Sequence, residues 1–543
     1  MRCRAGVVLM GASGALAALL PVLSGAAGQD IEAAAQAMGR TLPPGYYELI
    51  REQPDFFTIQ NGWIARVERS AQLSMTVGGS LRVAVILALF TDSPEPTVTP
   101  QDLQAALFDG PSEYGTVSEY YREVSGRRLE VTGQTFPWTR TSFTMAEVVG
   151  DNFGLGNDGK VGQYLLEAVE AADRTVDFGL FDNDGLDGIP NSGDDDGFVD
   201  AVAFQYLEVA ASCGGPSIWP HRSRIRHWNN GNPFVTDDPR AGGGFILVDD
   251  YTTQSVVDCW GELQKATTIS HELGHVLGLP DLYDSSQGLL PEQRRWVVGC
   301  WSLMAAGSGW GCGTGAEEPW FRPSHMGPWE KHRLGWLFRY EEVTDVLGGE
   351  FVLEPVETSE HVLKIPLESD VSSDLLEYLL VEYRVQEGFD EDLPASGVLV
   401  YHIDPKLAGN RPCETCAQQY RVSLLEADGN DGLRLTALQG GNRGEAGDAW
   451  GVTGSGRLTS TTYPSTHLHS GAVSPVTIYE ISIQDGAAHI LLSSREVRWT
   501  SLIQGFLQTS ATPLTAQERE YLDARGNGNG QYDVGDLRAY LKR

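Results

Sequence analysis

The chain has 543 residues, of which 41% are hydrophobic, enough for two or three folded globular domains. Its 39 Lys and Arg against 73 Asp and Glu give a net charge of −34, which repels nucleic acid and anionic membranes and favours divalent cations, calcium first. A disordered chain and a nucleic-acid-binding protein are thereby excluded.

At the N-terminus, Arg2 and Arg4 precede an apolar run from Ala5 to Leu23 and then small residues, the tripartite form of a secretory signal ending near residue 28. No second long apolar run follows, so the expectation is a secreted protein without a membrane span. Cys3 leaves with the signal. Cys213, Cys259, Cys300, Cys312, Cys413 and Cys416 remain, an even number that favours disulfides in an oxidising compartment, with Cys413–Cys416 as a local bridge. Residues 29–78 read as a propeptide or as an N-terminal arm on the surface; they contain no cysteine to place on a metal.

A catalytic domain is expected over 79–340. The apolar run Arg82–Phe90 predicts a strand buried on both faces, and Thr116-Val-Ser-Glu119 has the form of a capping box before a helix carrying Tyr120, Tyr121 and Val124 inward. A second strand is expected over 129–132 and a helix over 162–172. The segment 181–200 then spaces acidic residues between glycines, as calcium loops do; Asp182, Asp184, Asp194, Asp196 and Asp200 are the candidate ligands, although the spacing is not that of an EF-hand. Gly242 to Asp249 predicts a glycine hinge into a strand at the edge of a substrate cleft.

The stretch that carries most chemistry is Thr267 to Asp281, containing HELGHVLGLPD. On a helix, His271 and His275 project from one face and can hold one zinc, with Glu272 beside it as general base. Ile269, Leu273, Val276 and Leu277 recur at the spacing of an opposite, core-facing side. Gly278 is placed to end the helix, because glycine takes left-handed dihedrals cheaply, and Pro280 prevents its resumption. Downstream, Met304 lies in a small-residue turn, and 320–336 predicts a helix with Trp329, Leu334 and Trp336.

From 341 to 495, short alternating apolar runs between glycine and aspartate turns predict an all-β sandwich domain. His402 and Asp404, at the end of one run, can be either a ligand pair or ordinary strand-end polar residues. Residues 496–543 predict a small loop-helix unit similar to a dockerin or half an EF-hand, with Asn527, Asn529, Asp533 and Asp536 as calcium ligands. Arg525 occupies its expected first ligand position, where Asp523 can substitute.

Several stretches resemble the immune inhibitor A type of zinc metalloendopeptidase: Thr116–Ser125, Gly197–Val202, Ile218–His221, His271–Asp284, Gly299–Met304, His332–Trp336 and Leu399–Asp404, in order along the chain. The resemblance implies a metzincin-like α/β catalytic domain, zinc, structural calcium and endopeptidase activity on protein or peptide substrates. It implies His271, His275 and Asp281 as zinc ligands, Glu272 as base and Met304 as a Met-turn; Glu330 is the alternative third carboxylate, and His221 or Tyr283 the candidate oxyanion partner. The rival reading is a calcium-dependent extracellular adhesion protein on an inactive protease fold; retention of His271, Glu272 and His275 argues against it. A surface partner for the dockerin-like end is a further expectation.

Overall fold

The computed structural model describes residues 43–541 except 73–74, 287–292, 314–320, 369–374, 411–417, 453–455, 498–500 and 503–513. The expected signal segment and the Cys413–Cys416 bridge lie outside these residues. Among the described residues, no helix is long and apolar enough to cross a membrane.

The first half is built on a six-stranded sheet. Its strands are β1 (Gly79–Leu89), β2 (Leu129–Thr135), β3 (Thr139–Arg140), β4 (Ala201–Tyr206), β5 (His221–Arg224) and β8 (Asp250–Ser255), in the order β2-β1-β4-β8-β5, with β3 beside the end of β1. All pairings are parallel except β5 on β8. The continuous apolar run of β1 has a physical reason. Leu81, Val83, Val85 and Leu87 enter one core, which also holds Tyr121, Leu273 and Met304. Ala84, Ile86, Ala88 and Phe90 enter another, which holds Tyr164, Leu165 and Phe204. A strand with period-two side chains must be apolar throughout when both faces are covered.

The helix Val117–Val124 begins with the expected capping box: the Glu119 N–H donates to Thr116 Oγ1 at 3.1 Å and the Thr116 N–H to Glu119 Oε2 at 2.8 Å. It faces the helix Ala266–Val276, and Tyr121 Oη donates across to the Ser270 carbonyl at 2.7 Å. The helix Val161–Asp173 covers the opposite face of the sheet, packing Leu165 and Val169 into the second core.

Three expectations need correction. Phe245–Val248 (β7) is a strand, but it pairs with β6 (Phe234–Pro239) in a hairpin and is not the cleft edge. Gly242, Gly243 and Gly244 all have positive φ, so they form the tip of that hairpin, and the edge strand of the main sheet is β5. The described part of the arm is more than a surface layer: Ile59, Trp63, Val67 and Val77 are buried in the main core, Trp63 completely. The helix expected over 320–336 is confined to Pro328–Arg333, where Pro328 supplies the first helical position.

The second half adds β9 (Arg339–Glu342), β10 (Gly349–Leu353), β11 (His361–Pro366), β12 (Tyr378–Arg384), β13 (Gly397–Ile403), β14 (Val422–Leu424), β15 (Thr477–Gln484) and β16 (Ala487–Ser493). They form a five-stranded sheet, β14-β13-β12-β11-β9, and a three-stranded sheet, β10-β16-β15. Leu379, Val381, Val398 and Val400 share a core with Ile478, Ile490 and Leu492 of the smaller sheet. The alternate residues Leu380, Leu399, Tyr401 and Ile403 are buried in the same core as Met304 and Trp301. The five-stranded sheet is thus a middle layer with apolar residues on both faces, and among the described residues its inner face belongs to the core of the first half. Two disulfides, Cys213–Cys259 and Cys300–Cys312, brace the first half. Helices Ala516–Ala524 and Val534–Leu541 close the chain, with Tyr521, Leu522 and Tyr540 in a small core of their own.

Candidate metal centre

The helix Ala266–Val276 positions two imidazoles on one face and stops where its sequence says it should. Gly278 has φ +76°, its N–H donates to the His275 carbonyl at 2.8 Å, and the Leu279 N–H donates to the Gly274 carbonyl at 3.0 Å. This is a Schellman turn, which requires a residue tolerant of the left-handed region. The turn sends the chain back past the helix, so that Asp281 meets both histidines. His271 Nε2 and His275 Nε2 are 3.1 Å apart, and Asp281 Oδ1 lies 3.2 Å from the first and 3.4 Å from the second.

The other ring nitrogens are committed. His271 Nδ1 is 2.9 Å from the Leu303 carbonyl and His275 Nδ1 is 2.7 Å from the Leu279 carbonyl. A carbonyl can only accept, so each Nδ1 carries the proton and each Nε2 presents a lone pair toward the other. Asp281 Oδ1 is buried there without a hydrogen-bond partner. Three electron-rich atoms form a triangle with edges of 3.1, 3.2 and 3.4 Å, a set that could hold a metal ion. Tetrahedral zinc with bonds of roughly 2.0–2.1 Å separates its ligands by about 3.3–3.4 Å, so this donor set fits zinc. The other carboxylate oxygen of Asp281, Oδ2, faces the Arg222 guanidinium, with Nη2 at 3.6 Å.

Met304 packs against the same helix. A Cβ on Gly274 would stand 2.4 Å from Met304 Sδ, which explains glycine at this position of the motif. The Met304 carbonyl accepts from the Leu282 N–H at 2.8 Å, so one turn supports both the helix and the segment carrying Asp281. Glu330 is buried elsewhere, accepting from Ser302 Oγ, and is not among the groups that meet the histidines.

Arg222 also belongs to this site, although no motif in the sequence announces it. It stands on β5 with Nη1 3.7 Å from Glu272 Oε2 and Nη2 3.6 Å from Asp281 Oδ2, a cation between the motif carboxylates. The available signal was its place next to His221: adjacent strand residues face opposite ways. His221 itself is fully engaged, with Nδ1 2.7 Å from the Trp219 carbonyl and Nε2 3.0 Å from Tyr251 Oη. Burial pushes its pKa down to about 4, so it is neutral. The Tyr283 ring lies beside Trp296 under the Arg294 guanidinium, and burial and Asp281 push its phenol up.

Of the five candidate aspartates in 181–200, the fold gathers Asp182, Asp184 and Asp200, one oxygen of each lying within 4.8 Å of the others. Burial first, then neighbouring Asp195 and Asp196, push Asp182 up to about 7; burial and Asp196 push Asp184 up to about 6. Burial also raises Asp196, which reaches this cluster through Gly62, where a Cβ would meet both Asp184 and Asp196. Asp194 is placed otherwise: exposed, it accepts from the Leu186 and Asp187 N–H groups and from Ser192 Oγ. At the C-terminus, Asn527 Nδ2 and Asn529 Nδ2 both donate to Asp533, at 3.4 and 3.2 Å, while Asp536 accepts from the Asn527 and Asp533 N–H groups. Arg525 turns away to the Ser474 carbonyl, and Asp523 faces the loop, accepting from the Gly530 N–H at 3.0 Å.

A helical H-E-x-x-H with a returning carboxylate, beside an antiparallel edge strand, is an arrangement found in metallopeptidases. In particular, residues 101–337 match the family described as "Immune inhibitor A peptidase M6, catalytic domain", in line with the sequence resemblance. Two named proteins are similar to it. One is a pre-pro-metalloprotease PrtV of Vibrio cholerae serotype O1 (strain M66-2), 29% identical over 237 residues, which are 40% of this chain and 25% of that protein. The other is Immune inhibitor A of Bacillus thuringiensis subsp. alesti, 29% identical over 238 residues, 40% of this chain and 32% of that protein. The chain therefore spans a quarter to a third of the relatives it matches.

The Gly274–Met304 contact yields a test. Gly274→Ala should destabilise the protein by about 1–3 kcal/mol through overpacking. In a urea-unfolding cycle, combining it with Met304→Ala should cost clearly less than the sum of the two single changes; strict additivity would show that the two side chains do not meet.

Proposed function

We propose that the protein is a secreted zinc-dependent endopeptidase. The observation that carries the reading is the triangle of His271 Nε2, His275 Nε2 and Asp281 Oδ1, two lone pairs and a carboxylate oxygen with 3.1–3.4 Å between them. When bound there, zinc supplies Lewis-acid polarisation of the scissile carbonyl and acidifies a water. Glu272, next to His271 on the helix, takes the proton of the attacking water and returns it to the leaving amine. Arg222 stands between Glu272 and Asp281, with Nη1 3.7 Å from Glu272 Oε2 and Nη2 3.6 Å from Asp281 Oδ2. The β5 strand, at the edge of the sheet beside the helix, offers backbone groups to an extended substrate peptide. The adhesion alternative has no observation in its favour.

On this reading 341–495 is a β-sandwich whose larger sheet buttresses the protease. Calcium fills two places: Asp182, Asp184 and Asp200 with Asp196 beside them, and the Asn527, Asn529, Asp533 and Asp536 loop. The helix pair at 516–541 is a dockerin-like unit for a surface partner; Val534 at its tip is largely exposed.

Glu272→Gln removes the proton carrier without touching a metal-binding atom. It should keep the zinc content of the wild type while lowering casein hydrolysis by about a hundredfold or more. A variant retaining a tenth of the activity would rule out Glu272 as the base.

The calcium reading has a pH sign. The folded-state values of Asp182 and Asp184 are raised from 3.8 to about 7 and about 6, so their contribution is fully present below 3.8 and is lost as pH rises through 6 to 7. Calcium-stripped protein should therefore lose stability across that window, and calcium should restore it mainly at the upper end, by about 2.7 kcal/mol at a hundredfold excess over Kd. Asp182→Asn with Asp200→Asn should remove most of the response. A melting temperature indifferent to calcium at pH 8 would refute the site.

A further inference from the structure

Far along the chain from the His271 helix, three side chains from separate segments of the second half converge. Glu377 stands immediately before β12, His402 is on β13 opposite Leu379, and His469 is on the connection leading to β15. One ligand-capable atom of each lies within 4.8 Å of the others. His402 Nε2 is 3.0 Å from Glu377 Oε2, an oxygen that also accepts from the His469 N–H at 2.7 Å. The two imidazole rings are 4.4 Å apart, and His469 Nδ1 is 2.9 Å from Asp404 Oδ2.

His469 Nε2 is the informative atom, because it is buried and has no hydrogen-bond partner. Asp404 can only accept from Nδ1, so it fixes the proton there and leaves a lone pair on Nε2. A buried polar atom without a partner costs about 1–3 kcal/mol, and here it stands beside a second imidazole and a carboxylate. Lys406 does not fill this role: its Nζ meets the other oxygen of Glu377, Oε1, at 3.8 Å and Glu368 at 3.7 Å, and is half-exposed. Carboxylate, histidine and metal in series is how proteins orient a ligating imidazole.

We propose that Glu377, His402 and His469 hold a second divalent metal ion, with Asp404 orienting His469. Two imidazoles with one carboxylate suit zinc and do not suit calcium, which takes oxygen ligands. Such an ion fastens the adjoining ends of β12 and β13 to the segment that enters the three-stranded sheet, so its role is structural. The inference is independent of the catalytic reading, since none of its residues belongs to the 266–281 segment.

Metal analysis of the full chain, dialysed against micromolar zinc and then metal-free buffer, separates the two sites. The wild type should hold about two zinc ions per chain and His271→Ala/His275→Ala about one. Adding His469→Ala to that double variant should remove the remaining ion, and adding Asp404→Asn should weaken its binding by about 10–100-fold. Should the His469→Ala protein fail to give a folded circular-dichroism spectrum, the isosteric Glu377→Gln serves in its place. Cobalt added to the metal-free double variant should give the visible absorption of a tetrahedral nitrogen and oxygen site. A double variant that retains no zinc, or one whose zinc survives both His469→Ala and Glu377→Gln, overturns the proposal.

Discussion

Everything around the centre of this molecule serves to hold three electron-rich atoms closer together than they would choose. Two imidazole nitrogens and a carboxylate oxygen meet with edges of 3.1–3.4 Å. Each constraint that keeps them there is backbone-encoded: the Leu303 and Leu279 carbonyls set the ring orientations, and the Schellman turn at Gly278 both returns Asp281 and creates the Leu279 carbonyl that His275 needs. One glycine thus fixes the Asp281 carboxylate and the partner of the His275 imidazole. The helix in turn rests on Met304, and Tyr121 ties its Ser270 carbonyl to the capped helix opposite.

The turn bearing Met304 is itself held from the second half of the chain. Arg384, on β12 and fully buried, donates to the Trp301 carbonyl at 3.2 Å while pairing with Asp390, Glu382 and Glu357. Burial alone would favour a neutral Asp390, but Arg384 keeps it low, whereas burial and Asp390 push Glu357 up to about 8. Trp301 Nε1 donates to Asp448, and Tyr420 and Arg295 both donate to Asp284, three residues after Asp281. Losing one partner of a buried ion pair leaves an uncompensated charge and costs several kcal/mol, so the turn and the five-stranded sheet stand or fall together. This gives a physical reason for one continuous core across the two halves.

Much of this was legible in the sequence because the signals are local. The capping box at Thr116, the two-faced strand at 82–90 and the helix stop at Gly278 each follow from a few adjacent residues, and the helix register of His271, Glu272 and His275 needs nothing more. The same locality explains the misreadings. Gly242–Gly244 signal a turn, but not which strand it joins, so a hairpin and a cleft edge look alike there. Acidic spacing in 181–200 could not distinguish Asp194, spent on turn N–H groups, from Asp200, buried in the cluster. Arg222, Trp63 and the Glu377, His402 and His469 group depend on contacts between segments far apart in the chain, and no local pattern announces such contacts. His402 and Asp404 lie together at a strand end, but their partners are 25 residues before His402 and 65 after Asp404.

The central claim is that Asp281, and not a carboxylate from another helix, completes the site with His271 and His275. Zinc content of the purified full chain decides it when Asp281→Ala is compared with Glu330→Ala, both in a background carrying His469→Ala so that only one centre is counted. The account predicts that Asp281→Ala loses stoichiometric zinc or binds it far more weakly, while Glu330→Ala retains it. Zinc kept by Asp281→Ala and lost by Glu330→Ala would contradict the account.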